Sequence, residues 1–95
     1  MHATLWRTMS DINIKAQDEV LRGQYANMMQ ATYTREEFVL DFMLTLPPQG
    51  ELISRIIVSP AHMKRIVQAL ADNLTKYEQS FGVLEEASEP RVLKV

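Results

Sequence analysis

Residues 35–82 read REEFVLDFMLTLPPQGELISRIIVSPAHMKRIVQALADNLTKYEQSFG. Two strand patterns and one helix pattern are contained in them. In 37–45, Phe38, Leu40, Phe42 and Leu44 fall on one side of an extended chain. Val39, Asp41 and Met43 fall on the other, because strand side chains alternate. Pro47, Pro48 and Gly50 then break the pattern, as neither residue type continues a central strand well. Residues 51–58, ELISRIIV, resume it, with Leu52, Ser54, Ile56 and Val58 on one face and Ile53, Arg55 and Ile57 on the other. Both strands carry apolar residues on both faces, whereas a sheet with one wet face alternates cleanly. Such a sheet needs cover on both sides, and a single helix supplies one.

The helix has clear ends. Ser59 is suited to accept from a free backbone N–H, and Pro60 stands at the first helical position, where its missing N–H costs nothing. Residues 60–81 contain no interior glycine or proline, and Gly82 is the expected stop.

N-terminal to this stretch, residues 21–34, LRGQYANMMQATYT, read as one long strand. Tyr25, Asn27, Met29, Ala31 and Tyr33 share one face, and Gly23 marks a bulge or the start of pairing. Thr34–Glu37 is a polar turn. Residues 11–20 alternate briefly at Ile12 and Ile14, which suggests a short strand. Residues 1–10 have no clear period, and Trp6 is their one large anchor. The expected architecture is therefore α+β: a three-stranded antiparallel meander, followed by one long C-terminal amphipathic helix. A fourth strand at 91–95 would extend the meander. Residues 1–10 read as a flexible segment, 11–82 as a single domain, and 83–95 as a tail that is mobile or adds an edge strand.

The chain has 95 residues, ten basic and twelve acidic side chains, a formal net charge of -2 and no cysteine. One small domain of this size is marginal when alone. Disulfides and thiolate metal sites are excluded, so association becomes the natural source of further stability. The charge balance weighs against bulk nucleic-acid binding. No signal-peptide core and no apolar run of membrane-spanning length is present, so a cytoplasmic protein is expected.

The apolar stripe of the helix is Met63, Val67, Leu70, Leu74, Tyr77 and Phe81, a heptad seam widened by Ile66. Its plainest role is to cover the protein's own sheet. The flanking charges suggest a second role. Lys64 lies near the helix start and Glu78 in its last turn, each opposed to the helix dipole. With Met63 at heptad position d, Lys64, Ala71 and Glu78 are all e positions. Two copies packed antiparallel about Ala71 would set Lys64 against Glu78 at both ends. Met63, Val67, Leu70, Ala71, Leu74, Tyr77, Glu78 and Phe81 thus form a candidate oligomer interface.

Sites for chemistry are sparse. The histidines are His2 and His62, with no second ligand at helical spacing, so no metal is expected. Ser59 is explained as a cap, there is no nucleophile elbow, and the three glycines are isolated, which leaves no phosphate-cradling loop. No cofactor is expected. The best candidate for an anion or partner patch is Arg55 with His62, Lys64 and Arg65, where a basic cluster adjoins a helix N-terminus. Its ordinary alternative is pairing with Glu36, Glu37 or a partner's Glu78.

The segments RGQYANMMQATYT, EEFVLDF and SRIIVSPAHMKRIVQALADNLTKYEQSFG together resemble the DUF3467 family of small prokaryotic and phage-associated proteins. The resemblance runs over roughly residues 12–83. It is most specific at the EFVLDF strand, the SRIIVSP junction and the KYEQSFG helix end, and it departs at the PPQG loop and at both termini. It implies an architecture and supplies no catalytic residue.

The functional expectation is a non-enzymatic, self-associating binding or assembly module, a homodimer or higher homo-oligomer, with a protein or peptide as a further partner. Two alternatives stand beside it. One is a chaperone or peptide binder similar to SecB in setting a helix after an antiparallel sheet, a fold-level analogy. The other is a small nucleic-acid or nucleotide binder using Arg55, Lys64 and Arg65.

Overall fold

The computed structural model describes residues 3–9 and 11–87. Five strands and two helices follow in the order β1 (Ala3–Met9), β2 (Ile12–Gln17), α1 (Asp18–Arg22), β3 (Met28–Tyr33), β4 (Phe38–Leu46), β5 (Gln49–Val58) and α2 (Pro60–Phe81). β3, β4 and β5 form the antiparallel meander with β4 at its centre, and α2 follows it. The α+β class, the meander and the long C-terminal helix are as the sequence predicts. The suggested strand at 91–95 lies outside the described residues.

Three features differ from expectation. Residues 1–10, read as a flexible segment outside the domain, contain strand β1, which pairs antiparallel with β2 as a separate two-stranded sheet. The register slips between Leu5 and Arg7, so Trp6 is an extra residue in β1. Such a bulge erases the period of two on which a strand reading depends. Second, the long strand expected at 21–34 is shorter. The five-residue α1 ends at Gly23, whose φ of 76° favours glycine, and β3 begins at Met28. Third, β4 and β5 run past the boundaries expected at Thr45 and Glu51. Leu46 pairs with Gln49 across a two-residue turn made by Pro47 and Pro48, joined by a cis peptide bond.

The faces of the meander follow from register, because directly opposed residues point the same way. On one face lie Met29, Ala31 and Tyr33 of β3, Phe38, Leu40 and Phe42 of β4, and Ile56 and Val58 of β5. On the other lie Met28, Gln30 and Thr32, then Val39, Asp41 and Met43, then Arg55 and Ile57. A bulge between Phe42 and Met43 sets Leu52 opposite Met43. Leu52 therefore moves to the Asp41 face and does not share a side with Ile56 and Val58, as simple alternation predicts.

Packing is thin. Leu40 is the one buried apolar residue among the described ones, 6% exposed, and Asp41 and Thr45 are buried beside it in the central strand. The total accessible surface is 8549 Å², against roughly 5,600 Å² for a compact monomer of this mass. The hairpin β1–β2 packs with α1 and makes no extended contact with the meander.

Candidate functional site

α2 is set by its first turn. Ser59 Oγ accepts from the backbone N–H of His62 at 3.1 Å, and Pro60 follows the cap. This fixes the helix start directly after β5. Met63 and Ile66 are half-buried, and the start of α2 borders an open groove lined by Phe38, Pro60, Met63, Lys64, Val67 and Gln68. The groove, about 610 Å³, lies on the Phe38 face of the sheet.

Beyond these two turns α2 leaves the sheet and makes no extended contact with any strand. The stripe expected to cover the protein's own sheet stands open. Val67 is 55% exposed, Leu70 64%, Leu74 52%, Tyr77 46% and Phe81 76%. Tyr77 and Phe81 pack on each other, with ring centroids 5.0 Å apart, one turn apart on the same stripe. Ala71 is also exposed. At the helix end, Gly82 has φ 99° and donates its N–H to the Glu78 carbonyl at 2.8 Å. The Glu78 carboxylate accepts from the Leu84 N–H through Oε2 at 2.9 Å. This bond explains how an anion is tolerated in the last turn, and among the described residues Oε1 has no further partner.

The four residues of the basic patch are divided. Arg55 is cross-strand from Asp41, and its Nε and Nη2 donate to Oδ1 and Oδ2 at 2.7 and 3.0 Å. Such a bidentate pair uses two parallel N–H donors along one edge of the guanidinium. Hydrogen bonding from Arg55 holds the Asp41 carboxyl below the ordinary carboxylate range, with the Arg55 charge adding to it against the effect of burial. The partner is thus Asp41, not Glu36, Glu37 or Glu78. Lys64 lines the groove on the opposite side of the sheet, and His62 and Arg65 lie exposed on the first turn of α2. No group of three or more metal-ligating side chains occurs among the described residues.

One structural residue was not distinguished by the strand pattern. Asn27 works as the last rung of the β3–β4 ladder. Its backbone N–H donates to the Met43 carbonyl at 3.0 Å. Its side-chain Nδ2 donates to the Thr45 carbonyl at 3.0 Å, and its Oδ1 accepts from the Thr45 N–H at 2.9 Å and hydroxyl at 3.1 Å. The amide side chain thereby copies a strand's peptide group. An Asn just before an apolar run, where backbone partners run out, is the signal that was available.

These observations define a small α+β protein whose long helix presents an uncovered apolar face. A family model described as "Protein of unknown function (DUF3467)" matches residues 3–86, and the chain belongs to this family. The match begins at Ala3, so the N-terminal hairpin is part of the family pattern and not a private extension. Nothing matches among curated proteins or among solved structures. Among the described residues no helix is long and apolar enough to cross a membrane.

Proposed function

We propose that the protein is a non-enzymatic, self-associating binding module whose working unit is a homodimer or higher homo-oligomer. The observation that carries this reading is the open stripe on α2. Val67, Leu70, Leu74, Tyr77 and Phe81 are each close to half exposed or more, while among the described residues Leu40 alone forms a buried apolar core. Fully burying one such side chain is worth about 1.5–3 kcal/mol, so leaving five in water forgoes a large share of the stability a small domain has. A second copy recovers it. Sedimentation at micromolar concentration tests the reading: an oligomer is expected, and a cooperatively melting monomer would overturn it.

A second reading, a binder of extended or helical apolar peptides, is favoured by the groove between Phe38 and the first turns of α2 and by the outer edges of β3 and β5, which pair with no other strand among the described residues. Apolar grooves and free sheet edges are the two surfaces such partners use. Retention of unfolded model polypeptides by the assembled oligomer is the matching measurement.

A further inference from the structure

We propose that two copies join through an antiparallel pair of α2 helices, related by a two-fold axis passing beside residue 72. This rests on the self-association proposed above and fixes its geometry. The seam Met63, Val67, Leu70, Leu74, Tyr77, Phe81 is spaced four, three, four, three, four, so it reads the same from either end. Laid antiparallel, Met63 meets Phe81 of the second copy, Val67 meets Tyr77, and Leu70 meets Leu74. Smaller side chains oppose the two bulky rings in the outer layers, and the two leucines fill the centre. A parallel pair in register would set Phe81 on Phe81 and Val67 on Val67, crowding one layer and emptying another.

The flanks agree with the seam. In an antiparallel pair, e positions face e positions. Lys64 then meets Glu78 of the second copy at both ends, and Ala71 meets Ala71 next to the axis, where a methyl group lets the helices approach closely. The Glu78 carboxylate is already oriented by the Leu84 N–H on Oε2, and a carboxylate accepts more than one donor. Lys64 and Glu78, each opposed to its own helix dipole, become each other's partners. A parallel pair sets Glu78 opposite Asn73 and brings no opposite charges together. The occupant is therefore a second copy of this chain, not its own sheet, which the seam borders only at Met63 and Val67.

The chain has no cysteine, so introduced thiols report position without background. In this register the two copies of residue 64 lie about 24 Å apart along the axis, at 1.5 Å per residue, whereas the two copies of residue 71 are neighbours. Three samples are treated with a short bis-maleimide cross-linker, whose span is well under that distance: Ala71→Cys, Lys64→Cys, and Lys64→Cys co-refolded with Glu78→Cys. Covalent dimer is expected from the first and third and not from the second. Efficient cross-linking of Lys64→Cys alone would mean a parallel pair and overturn the proposal. If none of the three cross-links although sedimentation still shows an oligomer, the seam covers the second copy's sheet. That outcome overturns the helix pair and leaves self-association standing. A monomeric wild type overturns both.

Discussion

Arg55 and Asp41 face each other across β5 and β4 as a bidentate pair, Nε to Oδ1 at 2.7 Å and Nη2 to Oδ2 at 3.0 Å. Asp41 is the covered member: its side chain is 11% exposed, that of Arg55 58%. The pair therefore shields one polar group on the most buried strand and leaves the other in contact with solvent. Next to Val39, Met43 and Ile57 on the same face, it also marks a specific register between β4 and β5.

This pair makes a pH prediction. Arg55 lowers the folded-state pKa of Asp41, so below the ordinary Asp value of about 3.9 the unfolded chain binds the proton first. The contribution is complete above that value and is lost as pH falls through the lower, folded pKa. Urea denaturation between pH 7 and pH 2 should show Asp41→Asn less stable than the parent at neutral pH. The difference should shrink as the pH falls below 4. A constant difference across that range would mean the ionised pair is not what the substitution removes.

Asn27 should matter more than its exposed position suggests. Replacing it with alanine removes three side-chain bonds to Thr45 and strands the N–H and hydroxyl of a residue that is 5% exposed. Leaving a buried donor unpaired costs about 1–3 kcal/mol. Asn27→Asp keeps the acceptor and loses the donor to the Thr45 carbonyl, so it should fall between the two. Chemical denaturation gives the totals, and amide exchange at Thr45 shows whether the loss is at that rung.

The parts of this fold that sequence made legible are those where pattern and punctuation agree. Phe38, Leu40 and Phe42 alternate, and Ser59, Pro60 and Gly82 bracket α2 at its observed ends. The parts that were not legible are those where one residue shifts a phase. Trp6 bulges β1 and hides its alternation, and the extra residue Ile53 in β5 moves Leu52 to the other face. α1 is five residues long, too short for a 3.6-residue period to emerge. The basic patch failed to gather for a similar reason: Arg55 and Phe38 lie on opposite faces, a fact of register that proximity in sequence does not contain. The seam of α2 was legible as a stripe. Whether it covers a sheet or a second helix is not, because both roles require the same spacing.

The exit from α2 offers a local test. Gly82 has φ 99° and ψ 163°, a region essentially reserved for glycine. A Cβ there would meet nothing within 4 Å, so the cost of Gly82→Ala is backbone strain of about 1–3 kcal/mol and not a clash. The bonds it endangers are those from the N–H groups of residues 82 and 84 to Glu78. Amide exchange at those two positions should rise while that of β4 stays unchanged. Equal acceleration throughout the chain would show that the helix end is coupled to the whole fold.

The stripe itself is tested by a matched pair of substitutions on α2. Leu70 lies at the middle of the seam and is 64% exposed within its own chain. Gln68 is off the seam, exposed, and bonded to Asp72 one turn on at 3.4 Å. Within a single chain, Leu70→Asp has little to disturb, since the position is solvated and no strand packs over it. In an assembly that buries the seam, the same carboxylate loses its water and must find a partner or take up a proton, a cost of several kcal/mol. Gln68→Asp places like charges one turn apart on a solvated face, worth about 0.5 kcal/mol or less. Sedimentation should therefore find Leu70→Asp monomeric or unfolded and Gln68→Asp assembled like the parent. Circular dichroism on the Leu70→Asp sample separates the two ways it can fail: retained sheet signal with lost mass means the seam serves association. Identical sedimentation of the two variants would place the contact elsewhere, on the open strands of the meander and not on α2.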